Sequence, residues 1–119
     1  MHGDARIVAL GPGDGTAIAD PLEGAITVKA RALESGGAFH VFERELGPGE
    51  AVPEHAHAGQ EEAVYVLTGD LVLRLGPFTH RARAGGFLLV PRGVAHAIEN
   101  TGPGPARMLC VRSPASPYP

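Results

Sequence analysis

Glycine and proline set the first limit on this chain. They number 17 and 11 among 119 residues and are spread along its whole length. Inside a helix, glycine costs about 1 kcal/mol and proline about 3 kcal/mol, so long helices are excluded. No window sustains a helical period of apolar residues, which points to short strands joined by tight turns. The strand candidates are Ala25–Ala30, Ala38–Leu46, Ala51–His57, Ala63–Leu67, Leu71–Leu75, Phe78–Arg83, Phe87–Pro91, Val94–Glu99 and Ala106–Arg112. Thr68-Gly69-Asp70 and Gly76-Pro77 read as hairpin turns. Many short, evenly spaced strands predict an all-β sandwich, jelly roll or barrel. Residues 1–24 are expected to form an irregular N-terminal arm, 25–112 the folded domain and 113–119 a loose tail.

Composition narrows the function classes. One domain accounts for the length. Aromatics are 5% and Trp is absent, so Val, Leu, Ile and Ala must fill the core. Net charge is -3, and Arg81 with Arg83 is the nearest thing to a basic cluster. This gives no electrostatic case for nucleic acid or for an acidic membrane surface. Cys110 is the single cysteine, so no intrachain disulfide can form and a reducing compartment is expected. The start carries no charged segment followed by an apolar stretch, and no run reaches membrane-spanning length. A cytoplasmic protein is the expectation.

Chemistry concentrates on four residues. Positions two apart in a strand face the same side, so His55 and His57 project together. Glu62 opens the next strand, and the intervening loop can turn it back toward the imidazoles. His96 arrives from a distant strand. Three imidazoles and a carboxylate form a mixed N/O donor set that suits one divalent ion: Fe, Mn, Ni, Co or Zn. Taken alone, the His55/His57 pair also fits two surface histidines.

The spacing around these residues carries a resemblance. From Gly49, five residues lead to His55, one more to His57, four to Glu62 and six to Gly69. From Gly85, five residues lead to Pro91, then Arg92, Gly93, two residues to His96 and three to Asn100. This resembles both motifs of the cupin superfamily, G-x5-H-x-H-x3,4-E-x6-G and G-x5-P-x-G-x2-H-x3-N. The resemblance implies a single-domain cupin jelly-roll β-barrel with His55, His57, Glu62 and His96 as metal ligands. It also implies a turn at Gly69, a bend at Pro91 and Gly93 that delivers His96, and a structural Asn100. The six-residue spacing to Gly69 selects Glu62 over Glu61 as the ligand. Within the superfamily, the wording of Glu62-Ala63-Val64-Tyr65-Val66-Leu67 and of Pro91-Arg92-Gly93-Val94-Ala95-His96 is similar to small quercetinase-type cupins.

Four protein ligands leave one or two positions open on a metal that prefers five or six, as a catalytic metal requires. The leading expectation is a dioxygenase acting on an enolic or phenolic small molecule, with Glu62 also serving as proton acceptor. The alternatives are a non-redox isomerase, cyclase or decarboxylase, and a non-catalytic small-molecule-binding module. Candidate pocket residues are His40, Phe42, Arg44, Val64, Val66, Leu89 and Ile98, although His40 fits an ordinary cross-strand position better. Tyr65 faces away from Glu62, and Cys110 reads as a buried hydrophobe. A two-fold homodimer is expected, with Ala25–Ala30 adding to the partner's sheet.

Overall fold

The structure is a computed structural model and describes residues 6–20 and 23–115. Ten strands and one helical turn follow one another: β1 (Thr16–Asp20), β2 (Gly24–Ala30), α1 (Ala32–Ser35), β3 (His40–Leu46), β4 (Ala51–His55), β5 (Glu61–Thr68), β6 (Asp70–Leu75), β7 (Phe78–Arg83), β8 (Phe87–Val90), β9 (His96–Asn100) and β10 (Ala106–Ser113). They form two antiparallel sheets, one ordered β1-β2-β3-β10-β5-β8 and the other β4-β9-β6-β7. This is the all-β jelly-roll arrangement expected. Among the described residues, no helix is long and apolar enough to cross a membrane.

Alternation decides what faces inward. On β5 the even positions Glu62, Val64 and Val66 are buried, while Tyr65 is exposed. The inner face of the larger sheet is therefore a set of rows across paired strands. His40, Arg112, Glu62 and Val90 form one row, and Phe42, Cys110, Val64 and Leu88 form the next. The smaller sheet answers with His55 opposite His96, and with Val52, Ile98 and Leu73 beyond them. Phe42, Val64, Val66, Leu71, Leu73, Ile98 and Met108 pack between the sheets as the apolar core.

Several expectations need correction. Residues 16–20 are not irregular: they form β1 and pair in register with β2. Their small, weakly apolar side chains hide the strand, and cross-strand hydrogen bonds supply what propensity lacks. Ala25–Ala30 is paired on both sides within its own chain, by β1 and β3, so it cannot add to a partner's sheet. Thr68-Gly69-Asp70 is not a hairpin but the crossing from the larger sheet to the smaller. Gly69 has φ +92, and a Cβ there would lie 2.7 Å from Ala106, so the crossing requires glycine. Gly76-Pro77 does close the β6–β7 hairpin. The start of the expected tail is anchored: Ser113 Oγ donates to Ala38 O at 2.9 Å, and the Ala115 amide to Gly37 O at 3.1 Å. Residues 1–5, 21–22 and 116–119, parts of the expected arm and tail, lie outside the described residues.

Candidate metal centre

Three separate pieces of chain deliver the cluster. His55 ends β4, and His57 sits just beyond it in the loop. Their rings meet edge to face with centroids 4.7 Å apart. Glu62 enters from the first turn of the β5 alternation. His96 opens β9 after the Pro91–Gly93 bend, where the Gly93 amide donates to His57 O at 2.9 Å. Gly93 has φ +74, which glycine adopts without strain. That bond ties the two histidine-bearing loops together. One ligand atom from each of the four residues lies within 4.8 Å of the others.

Hydrogen bonds orient the rings. His55 Nδ1 lies 2.8 Å from Pro53 O, and His96 Nδ1 lies 3.0 Å from Val94 O. A carbonyl oxygen can only accept, so each Nδ1 carries the proton and each Nε2 presents a lone pair. Those lone pairs converge. His55 Nε2 is 3.1 Å from His57 Nε2, and Glu62 Oε1 is 3.1 Å from His57 Nε2 and 3.6 Å from His96 Nε2. His96 Nε2 and Glu62 Oε2 are buried with no hydrogen-bond partner. Leaving such atoms unpaired costs about 1–3 kcal/mol each, and a cation among them removes that penalty. The donor set and its orphaned atoms fit a divalent ion, so this cluster could hold one.

The electrostatics agree with ligand duty. Burial raises the Glu62 pKa, but the close His57 and His96 rings and the charge of Arg44 outweigh it and hold the carboxyl at about 2. It is therefore a ready anion and a weak base. For His96, burial works against the charged form, yet the adjacent Glu62 carboxylate wins and raises its pKa. Burial lowers the pKa of His55.

Behind the cluster lies a group of charges of which sequence reasoning named Glu62 and Arg44 but missed Arg112 and Glu23. Arg112 Nε donates to Glu62 Oε1 at 3.1 Å, and its Nη2 donates to Glu23 Oε1. Arg44 grips the other oxygen of Glu23 through Nη2, and Glu23 O through Nε at 3.2 Å. Both guanidinium groups stand over the Phe42 ring, at 5.3 Å and 4.9 Å. Two arginines and two glutamates thus form a neutral buried quartet. An alternation count places Arg44 and Arg112 on the inner face, an unusual position for a charge and the one available signal. Glu23 precedes its strand and carries no signal at all.

The expected pocket divides. Phe42, Arg44, Val64, Val66 and Ile98 are inward-facing, but each is at most 1% exposed and packed solid, so none lines open space. Leu89 faces outward at 56% exposure, because the β8 alternation buries Val90 and turns Leu89 to the other side. His40 is half-buried, in one row with Arg112 and Glu62 and 5.3 Å from the Phe42 ring. Glu61 is half-exposed and paired with Arg92, leaving Glu62 as the inward carboxylate. Asn100 is structural as expected: its Nδ2 donates to Leu46 O and Gly104 O, and its Oδ1 accepts from the Gly102 amide. Burial pushes the Cys110 thiol up to about 12, so it is no nucleophile.

With fold and cluster in place, comparison assigns the family. The family described as Cupin domain matches residues 42–112, and the chain belongs to it. The tetracenomycin polyketide synthase protein TcmJ of Streptomyces glaucescens is 37% identical over 79% of this chain and 61% of its own length. Among solved structures, the polyketide cyclase RemF of Streptomyces resistomycificus superposes with TM-score 0.78 and 24% identity, covering 93% of this chain and 82% of that one. A predicted oxalate decarboxylase of Thermotoga maritima gives TM-score 0.66 and 27% identity, over 75% and 78% of the two chains. The chain spans about half to three-fifths of the length of the first curated relatives it matches.

Proposed function

We propose that this protein is a metal-dependent cupin enzyme that promotes a non-redox cyclisation of an enolisable, polyketide-type compound, with His55, His57, Glu62 and His96 holding one divalent ion. The observation that carries the reading is the convergence of one ring nitrogen from each of three imidazoles and one carboxylate oxygen, all within 4.8 Å of one another. The substrate class draws support from relatives named as polyketide synthase proteins, TcmJ and CurC. Once bound, the ion supplies Lewis acidity that favours an enolate oxygen on the substrate. Residues of the chain do the rest. The packed core closes the cluster from below, so the side open to substrate is that of His55 and His57, the ligands less buried than Glu62 and His96. Glu62, held near pKa 2, serves as ligand rather than proton acceptor. His40 lies in the same cross-strand row as Glu62, one strand beyond Arg112, and is the group we assign to take the enolising proton; burial lowers its pKa.

A second reading, the dioxygenase, is favoured by the same donor set, since N/O ligands also suit iron and manganese. One experiment separates the two. The chain is reconstituted with single metals and offered poly-β-carbonyl and phenolic compounds, under air and under argon. Cyclisation predicts zinc-supported conversion that is equal in both gases. Stoichiometric O2 uptake, with no turnover under argon, overturns cyclisation in favour of dioxygenation.

We also propose a homodimer through the outer face of β5 and β8. Tyr65, Phe87 and Leu89 are all about half-exposed there, and Tyr65 and Phe87 are cross-strand partners. Adjacent exposed rings of this kind mark association surfaces. A sedimentation mass of one chain at micromolar concentration would rule this out.

A further inference from the structure

We propose that Arg112, held in place by Glu23, is a positioning residue that sets the orientation of the Glu62 carboxylate within the metal cluster. The inference rests on the reading that the cluster binds a metal. Arg112 joins the Glu62 carboxylate to the charges behind the cluster. It stands beside Glu62 in the same cross-strand row, and its Nε hydrogen bond falls on Oε1, the oxygen that also faces His57 and His96. Its Nη2 is engaged by Glu23, so one planar fork spans two carboxylates. A guanidinium can do this because its donors diverge at fixed angles; an ammonium offers one centre.

Glu23 is fixed in turn. Arg44 binds its second oxygen and its backbone carbonyl, and the Glu23 amide donates to Asp20 Oδ1 at 2.7 Å. Glu23 Oε1 lies 4.0 Å from His55 Nε2, so the quartet borders the cluster at two of its four members. The result is a chain of contacts from Asp20 through Glu23 and Arg112 to Glu62. With Oε1 engaged, the carboxylate cannot rotate freely, and Oε2 stays without a protein partner.

Charge and geometry make opposite predictions here, which gives the test its force. Removing a cation beside a divalent site should tighten metal binding if Arg112 acts only through its charge. If Arg112 positions Glu62, the same substitution weakens binding. The full chain is titrated with cobalt(II) by calorimetry while its visible absorption bands are recorded. Arg112→Gln is expected to lose about 10–100-fold in affinity, as partners of metal ligands do. Arg112→Lys keeps the charge but not the fork, and is expected to fall in the same range. Glu23→Gln leaves the Arg112–Glu62 bond intact; it should change the cobalt bands, with a loss at the lower end of that range. Melting temperatures of the metal-free variants separate a lost ligand geometry from a lost fold, and the milder Glu23→Gln carries the test if Arg112→Gln does not fold. Tighter cobalt binding in Arg112→Gln, or wild-type affinity and bands in all three variants, overturns the clamp alone. Failure of the wild-type chain to take up cobalt overturns the metal reading and the clamp with it.

Discussion

The two ends of the interior are built on different physics. At one end, Leu71, Leu73, Val66, Ile98 and Met108 are buried against one another, and packing is nearly all that holds them. At the other end, Glu23, Arg44, Glu62 and His96 are buried almost as deeply, with Arg112 half-buried beside them, and charge pairs link them. Apolar burial is non-directional and tolerates some repacking. Buried charges tolerate little, because an orphaned partner cannot be resolvated. The apolar end therefore governs whether the chain folds, and the polar end governs what it can bind.

That division can be broken by exchanging one residue at each end. The largest effect expected is on metal content. His96→Ala should lose nearly all bound metal, measured by elemental analysis, while still folding. Full metal occupancy in that variant would remove His96 from the ligand set. Leu73→Ala at the apolar end should do the reverse. It should cost about 2–5 kcal/mol of stability in urea denaturation and keep its metal stoichiometry. If it instead loses metal while holding its stability, the two ends are coupled and the division is wrong.

Metal addition sharpens the contrast. Ligand at 100 to 1,000 times its dissociation constant stabilises the folded state by about 2.7–4.1 kcal/mol. Wild type and Leu73→Ala should therefore both gain in melting temperature with metal, and His96→Ala should not.

The polar end should also set the pH dependence of the metal-free protein. Burial lowers the pKa of His55 and of His40, so below the ordinary value of 6.5 the unfolded chain binds more protons and stability falls as pH drops. The pKa of His96 is raised by Glu62, so its contribution is present below 6.5 and is lost as pH rises through the folded value. Melting temperature in chelator should thus peak near pH 6.5. Glu62 adds stability above its ordinary 4.5, lost as pH falls toward about 2, so the acid limb should steepen below 4.5. Metal loading displaces the His96 proton and should move the peak upward. A flat profile from pH 5 to 8 would mean that these groups are not linked to folding.

The smallest effect tests the reverse of burial. Arg92 and Glu61 pair on the surface, with side chains about half-exposed. Arg92→Ala should leave melting temperature and metal content unchanged, in contrast to Arg112→Gln. A marked loss of metal there would extend the polar network to the surface.

Much of this was legible in the linear chain, because it depends on local periods and counts. Alternation in β5 and β10 determined which side chains face inward. The spacing of His55, His57, Glu62 and His96, with glycines and proline at the turns, determined that four donors could meet. Tyr65 and Cys110 fell where alternation put them. Only the tertiary structure decided the rest. Leu89 turned outward because β8 pairs with β5 in a register that buries Val90, and register is a property of two strands together. Thr16–Asp20 became a strand only because β2 lies beside it. Glu23 entered the interior because Arg44 and Arg112, 21 and 89 residues away, converge there. A sequence states which groups a chain carries and which neighbours share a face. Which distant charges neutralise one another depends on how the sheets pack, and that is settled by the whole chain at once.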